Sequence, residues 1–116
     1  MNATSLLRRY ARTHNEGVKT GDFSNMLALF QPDAEMRFEG IPYGPLKGKG
    51  AISEAFQKDP PDDVLELYEI SGNDTEACAS YGWQHLNGRV AGNLNLTANG
   101  GFIQQLVIAA SRAPGR

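Results

Sequence analysis

The stretch that decides the fold is GDFSNMLALFQPDAEMRF, residues 21–38. Gly21 ends a preceding helix, because glycine readily adopts the left-handed conformation of a helix C-terminus, and Asp22 stands where the N-cap of the next helix belongs. The apolar residues that follow recur at helical spacing. Residues 31–33 interrupt this pattern, and residues 34–39 then alternate apolar and charged side chains. That alternation predicts a strand with one buried face.

Upstream of this stretch, residues 4–19 have the spacing of an amphipathic helix that Thr4 or Ser5 can cap. Its apolar face carries Leu7, Tyr10, Ala11, His14 and Val18. Side chains four positions apart on a helix lie above one another. Tyr10 and His14 can therefore point into the interior together.

Downstream, helix signals give way to strand signals. AISEAFQKD, residues 51–59, predicts a third short helix that the following Pro-Pro pair ends. Alternating runs separated by Asn-Gly and Gly-rich turns then predict four strands, at residues 64–71, 76–86, 89–97 and 102–109. Helices followed by hairpin-linked strands predict an α+β fold with the helices on one face of the sheet. We expect the sheet to curl into a cone around three helices that are too few to fill it, which leaves a cavity.

One face of this sheet is rich in aromatic side chains. Its inward positions are Ala77, Ala79, Tyr81, Trp83 and His85 on one strand, and Val90, Gly92, Leu94 and Leu96 on the next. Aromatic residues are most often plain core residues, but around a cavity they can line a site for a flat or cyclic ligand. In that case the expected substrate-binding residues are Phe38, Tyr43, Phe56, Tyr81, Trp83, His85 and Leu94.

Length and composition limit the class of protein. The 116 residues predict a single domain, residues 1–116, with a loose tail at 111–116. Eleven basic against thirteen acidic residues argue against nucleic acid or a membrane as a partner. One cysteine excludes an internal disulfide, and no His or Cys spacing suits a metal, so we expect no metal and no other cofactor. Because no secretory or membrane-spanning apolar run occurs, the expected location is the cytoplasm.

The loop GPLKGKGAI, residues 44–52, has the glycines and lysines of a phosphate-binding loop without their spacing. That pattern requires a glycine five residues before the Gly-Lys pair and a Ser or Thr directly after the lysine. Tyr43 and Gly50 occupy these two positions. We therefore expect the lysines to lie in solvent and the glycines to serve backbone geometry.

Together, GDFSNMLALFQPDAEMRF, GPLKGKGAI and the strands after them resemble the NTF2-like superfamily, which includes ketosteroid-isomerase-like and SnoaL-like proteins. The resemblance covers about residues 5–110. It implies a cone-shaped, curved mixed β-sheet wrapped around three N-terminal helices, with residues 44–52 as the tight turn before the third helix. It also implies a homodimer formed through the convex face of the sheet.

The resemblance does not extend to the catalytic residues of ketosteroid isomerases. Those enzymes use a Tyr, an Asp general base and an oxyanion-hole Asp. Aligned on the Gly-Asp and Leu-Phe pairs, these positions fall at His14, Phe38 and near Gly92. An alignment made backward from Gly48 instead places Glu39 opposite the base. Strict alternation points Glu39 outward, so that it would reach the pocket only at a β-bulge.

Three residues are candidates for acid–base chemistry: His14, Tyr10 and Glu39. His14 is either a core histidine that is hydrogen-bonded to its surroundings or a pocket histidine that acts as acid or base near neutral pH. In the pocket, burial would lower its pKa below the usual value of about 6.5 and leave a neutral base, with Tyr10 as its partner or as a donor to the substrate. His85 is near a turn, either at the cavity mouth or in solvent.

Three functions remain open from the sequence. The chain is an enzyme that isomerises, cyclises or dehydrates a small hydrophobic cyclic ligand, a binding protein for such a ligand without turnover, or a dimerisation module whose cavity is filled by its own side chains. A pocket lined by aromatic residues favours binding a small molecule. The convex-face residues that could form the dimer are Cys78, Ala91, Ile103, Val107 and one of Tyr68 or Ile70.

Overall fold

The computed structural model describes residues 2–87 and 89–110. The elements in chain order are α1 (Ala3–Thr20), α2 (Ser24–Leu27), β1 (Phe30–Glu39), β2 (Leu46–Lys47), α3 (Lys49–Lys58), β3 (Leu65–Gly72), β4 (Glu76–Trp83), a 3₁₀ turn (Gln84–Leu86), β5 (Val90–Asn99) and β6 (Phe102–Ala110). The tail predicted at 111–116 lies outside the described residues, as does Gly88 of the predicted Asn-Gly turn.

The strands form one six-stranded sheet in the order β2-β1-β6-β5-β4-β3. Strands β1 and β6 run parallel, whereas every other neighbouring pair is antiparallel. The sheet is curved and not closed, with the helices on its concave face. The prediction of an α+β fold with a curved mixed sheet around N-terminal helices is confirmed. Among the described residues, no helix is long and apolar enough to span a bilayer.

Helix α1 begins and ends where its capping groups allow. The side chain of Asn2 accepts a hydrogen bond from the backbone N–H of Ser5 at 2.8 Å, so the N-cap is Asn2 and the predicted caps Thr4 and Ser5 are wrong. At the other end Gly21 has a φ of 83°, and its N–H donates to the carbonyl oxygen of Gly17 at 2.7 Å. The predicted stop at Gly21 is therefore confirmed.

The segment between α1 and α3 differs from the prediction in two places. Helix α2 ends at Leu27, and Phe30 already begins β1. The loop at 44–52 contains the short strand β2, which pairs antiparallel with Glu35 and Met36 of β1. The N–H of Gly48 donates to the carbonyl oxygen of Ala34 at 2.7 Å, and its φ is 90°. This glycine therefore allows the close turn from β2 into α3.

The main core lies between α1 and the concave face of the sheet. The predicted alternation in β1 is confirmed, because Ala34 and Met36 are fully buried. On the neighbouring strands the completely enclosed side chains are Leu94, Leu96, Ile103 and Leu106. The burial of Ile103 corrects its prediction as a convex-face residue. The pairing of β5 with β6 shifts register between Thr97 and Ala98, and this irregularity turns Ile103 inward.

Candidate functional site

A cavity of about 460 Å³ lies between the concave face of the sheet, the middle of α1 and helix α3. Its wall is formed by Tyr10, His14, Met36, Phe38, Ile41, Tyr43, Leu46, Ala55, Phe56, Asp59, Pro61, Tyr81, Trp83, Ala91, Ile108 and Ala110. A groove of about 470 Å³ beside α1 and α2 has Arg9, Arg12 and Glu16 in its wall. Such charged walls are typical of solvated surface, whereas binding sites for organic molecules are mostly apolar. The first cavity is therefore the candidate site.

Seven of the sequence-predicted site residues lie on this wall. They are Tyr10, His14, Phe38, Tyr43, Phe56, Tyr81 and Trp83. Helix α1 supplies the first two because four-residue spacing places them on one face, and strand alternation supplies Phe38, Tyr81 and Trp83. The roles predicted for these residues in catalysis and substrate binding stay predictions.

The other three predicted site residues lie off the wall. Glu39 is exposed, and β1 pairs with β6 in unbroken register over residues 35–39, so no bulge turns it inward. His85 is carried outward because β4 ends at Trp83; its side chain is 65% exposed and forms an ion pair with Asp63 if the imidazole is protonated. Leu94 is 1% exposed and belongs to the closed core.

His14 is held in an apolar surrounding by its neighbour Asn15. Its Nδ1 lies 3.0 Å from the side-chain oxygen of Asn15. Its ring packs against Tyr10 and Trp83, with centroids 6.0 Å away in each case. Burial lowers the pKa of His14 below its usual value, and the hydrogen bond with Asn15 opposes this shift only in part. The imidazole is therefore neutral at pH 7.

Two tyrosine hydroxyls belong to the same wall. Burial raises the pKa of the Tyr10 phenol, and the nearby Tyr81 raises it further; burial also raises the pKa of Tyr81. Both phenols thus stay protonated and can donate hydrogen bonds. Within the described part of the chain, neither hydroxyl has a hydrogen-bond partner. Every fully enclosed side-chain N or O atom in that part does have a partner, so the two hydroxyls are not fully enclosed. Since both residues are at most 3% exposed, these hydroxyls reach accessible space at the cavity.

The sequence did not identify every wall residue. Met36 follows from the strand alternation that predicts Phe38, whereas the alternation in the next strands predicts Ala91 on the convex face. A register shift between Tyr81 and Gly82 in the β4–β5 pairing turns Ala91 toward the cavity. Asp59 lies at the mouth of the cavity and is exposed. No pattern in the sequence distinguishes it from the acidic residues around it.

The remaining predictions concern metals and partners. Within residues 2–87 and 89–110, no group of three His, Cys, Asp or Glu side chains converges in a way that could hold a metal ion. With Ile103 and Ala91 turned inward, the predicted dimer face retains Cys78, Val107 and one of Tyr68 or Ile70. The exposed Asn93 and Asn95 lie among them. The homodimer stays a prediction.

No protein-family model matches the sequence. Among curated proteins none matches it either.

Solved structures with the same fold are similar over nearly the whole chain. A protein from Sphaerobacter thermophilus has a TM-score of 0.74 at 22% identity, with 97% of this chain and 99% of that chain covered. A proposed ketosteroid isomerase from Kribbella flavida has a TM-score of 0.71 at 16% identity, covering 100% and 85%. An NTF-2 like protein of unknown function from Burkholderia xenovorans has a TM-score of 0.66 at 18% identity, covering 96% and 89%. At these identities the likeness establishes the fold alone, and the fold that the resemblance implied is confirmed.

Proposed function

We propose that this chain, which has the NTF2-like fold, binds a small and largely apolar cyclic molecule in the cavity beneath the middle of α1. The observation that carries the proposal is the cavity itself, with its aromatic wall and a few buried polar groups. Its volume of about 460 Å³ is within the range of about 300–1,000 Å³ that is usual for organic ligands.

The arrangement of the aromatic rings favours the binding of a flat ligand. Tyr81 and Trp83 meet edge to face with ring centroids 5.7 Å apart on one side, and Phe38 and Tyr43 meet in the same way at 5.1 Å on another. Such pairs keep the faces of rings available for stacking on a third ring. The hydroxyls of Tyr10 and Tyr81 would orient the ligand by donating to an acceptor on it.

Binding can be measured with N-phenyl-1-naphthylamine, an uncharged aromatic dye whose fluorescence rises in apolar surroundings. We expect saturable binding to the wild-type chain. A Phe38→Ala variant should bind the dye about tenfold more weakly, because it removes one ring of the wall. The matched control is Phe102→Ala, since Phe102 is 49% exposed and is not part of this wall. Absence of saturable binding, or equal weakening by both variants, would refute the proposal.

A second candidate is acid–base catalysis on the same ligand, and the neutral buried His14 favours it. An imidazole without a charge can take a proton from an acidic C–H or O–H group and return it elsewhere, which is the chemistry of isomerisation, cyclisation and dehydration. Tyr10 would donate a hydrogen bond to the oxyanion that develops on the ligand. Glu39 takes no part in this proposal, because it is exposed and off the wall.

The proton-transfer step can be tested without the natural substrate. The probe is 2-tetralone, a bicyclic ketone with acidic C–H groups, and NMR in deuterated water follows the exchange of its α-protons. His14 would remove a proton to form the enolate, and deuterium from solvent would replace it. We expect His14→Gln to lower the protein-catalysed rate by about a hundredfold or more, and His85→Gln to leave it unchanged. Exchange that is unaffected by His14→Gln would exclude His14 as the base.

A further inference from the structure

Asn15, next to His14 in sequence, is anchored to the backbone of β3. Its side-chain oxygen accepts a hydrogen bond from the N–H of Leu65 at 2.8 Å, and its side-chain nitrogen donates to the carbonyl oxygen of Leu65 at 2.9 Å. A backbone N–H can only donate and a carbonyl oxygen can only accept. The two bonds together therefore fix which end of the Asn15 amide carries the oxygen.

The fixed amide oxygen determines where the proton of His14 lies. This oxygen is 3.0 Å from Nδ1 of His14, and because it can only accept, Nδ1 must carry the proton. A neutral imidazole has one ring proton, so Nε2 presents a lone pair. Within the described residues Nε2 has no hydrogen-bond partner. Every fully enclosed side-chain nitrogen among these residues has a partner, so Nε2 is not fully enclosed. As His14 is 3% exposed and lines the cavity, its Nε2 lone pair is available there.

We infer that Asn15 is a positioning residue that holds His14 in the Nδ1–H tautomer and thereby makes the cavity select ligands that bring a hydrogen-bond donor to Nε2. A hydroxyl or N–H group on the ligand would satisfy the lone pair, whereas an ether or carbonyl oxygen would leave two acceptors facing each other. The statement about the tautomer stands by itself. The statement about the ligand rests on the proposed binding function.

The charges around the cavity narrow the ligand class further. No Lys or Arg is among the described residues of the wall, and its one carboxylate, Asp59, lies at the mouth. An anionic ligand would lose its hydration without gaining a cation, which is costly in apolar surroundings. The Tyr10 and Tyr81 hydroxyls can donate to an acceptor on the same ligand. The ligand that fits is an uncharged ring compound with a hydroxyl or N–H group for His14 and an acceptor oxygen for the tyrosines.

The tautomer of His14 can be observed directly by long-range ¹H–¹⁵N NMR of the histidine rings at pH 7.5. The chain contains two histidines, so the signals that remain in His85→Gln belong to His14. We expect His14 to carry its proton on Nδ1. A spectrum with the proton on Nε2 would overturn the inference.

Two substitutions of Asn15 separate positioning from a purely structural role. Asn15→Asp keeps the acceptor for Nδ1–H and adds a negative charge, so the tautomer should persist and the pKa of His14 should rise by about one unit or more in an NMR titration. Asn15→Leu removes the acceptor, so the Nδ1–H preference should be lost. The control Asn99→Asp adds the same charge at the exposed end of β5 and should change neither property. If His14 keeps the Nδ1–H tautomer in Asn15→Leu, the inference is overturned. If Asn15→Leu does not fold, an unchanged pKa of His14 in Asn15→Asp overturns it.

Calorimetry with two probes of the same ring system tests the ligand class. We expect the wild type to bind 2-naphthol at least about tenfold more tightly than 2-methoxynaphthalene, which lacks the donor. Asn15→Leu should reduce this ratio toward one. Equal affinities for a protein with the Nδ1–H tautomer would overturn the ligand class while the tautomer assignment stands. Failure of both probes to bind, together with failure of the uncharged dye, would instead refute the proposed binding function.

Discussion

Helix α1 covers two different interiors along its length. Its N-terminal half packs Leu6 and Leu7 onto a closed layer of side chains that leaves them at most 1% exposed. The middle of the helix presents Tyr10 and His14 to a cavity of about 460 Å³. We call the first region the packed end, formed by Leu6, Leu7, Phe30, Leu96, Ile103 and Leu106, and the second the cavity end, formed by the wall residues given above.

The size of the facing side chains explains the difference between the two ends. At the packed end, medium-sized aliphatic residues from α1, β5 and β6 meet one another and fill the space. At the cavity end, the wall combines large rings with small residues, namely Ala55, Ala91 and Ala110, which leave the space between them unfilled. The same sheet can therefore provide stability at one end and leave room for a ligand at the other.

The largest expected effect comes from removing a side chain at the packed end. Leu106 is completely buried and lies in register with Met36 and Leu96, so Leu106→Ala should lower the free energy of unfolding by about 2–5 kcal/mol. Ile108→Ala, two residues further along β6 on the cavity wall, should cost less than half as much, because fewer atoms surround it. Chemical denaturation measures both. Equal losses would mean that the two ends are packed alike.

The next largest expected loss of stability comes from Gly17→Ala and tests how tightly the side chains behind His14 are packed. A Cβ at Gly17 would overlap the ring of Phe23, which itself packs on His14 and Phe56. Gly17→Ala should therefore destabilise the chain by about 1–3 kcal/mol, although alanine is the better helix former. In α3, Gly50→Ala meets no atom within 4 Å and should be neutral or stabilise the chain by up to about 1 kcal/mol. Thermal unfolding of the two variants gives the comparison, and stabilisation by Gly17→Ala would show that Phe23 moves freely.

The sequence predicts which side chains are buried where the pattern lies within a single helix or strand. The helical spacing of Leu7, Tyr10 and His14 and the alternation of Met36 and Phe38 are periodic within one element, so the inward faces follow from the chain alone. The same two periodicities bring Tyr10, His14, Phe38, Tyr81 and Trp83 to the cavity wall, which are five of the seven predicted rings found there.

What the sequence does not predict depends on pairing between strands. The inward turn of Ala91 and Ile103 arises from register shifts between neighbouring strands, which no local pattern records. His85 lies outside the wall because β4 ends two residues before it. Asn15 is missed for the same kind of reason, since its partner Leu65 is distant in sequence and only the fold brings the two together.

A smaller change in stability is expected when the pH is lowered, because the cavity end contains the imidazole of His14. The pKa of His14 is lowered in the folded chain, so below the unfolded value of about 6.5 the unfolded chain binds a proton that the folded chain does not. Stability should therefore fall as the pH falls below about 6.5, by up to about 1.4 kcal/mol per pH unit, until the folded pKa is reached.

Denaturation of the wild type and of His14→Gln between pH 7.5 and 5.5 measures this contribution. The wild type should lose more stability over this range than His14→Gln does. Leu106→Ala should keep the wild-type dependence, because the packed end contains no titratable group. Identical pH dependence of the wild type and His14→Gln would mean that His14 is not buried in a neutral form.

The smallest expected change in stability comes from filling the cavity. Ala55 is half-buried on α3 and faces the cavity, so Ala55→Leu adds apolar atoms to empty space and keeps a good helix former. The free energy of unfolding should change by less than about 1 kcal/mol, while the affinity for N-phenyl-1-naphthylamine should fall at least about tenfold. At a closed position such as Ala79, which is 3% exposed, the same change should cost about 1–3 kcal/mol through overpacking. If Ala55→Leu were as destabilising as Ala79→Leu, the space beneath α3 would be too small for a ligand, and the difference between the two ends would disappear.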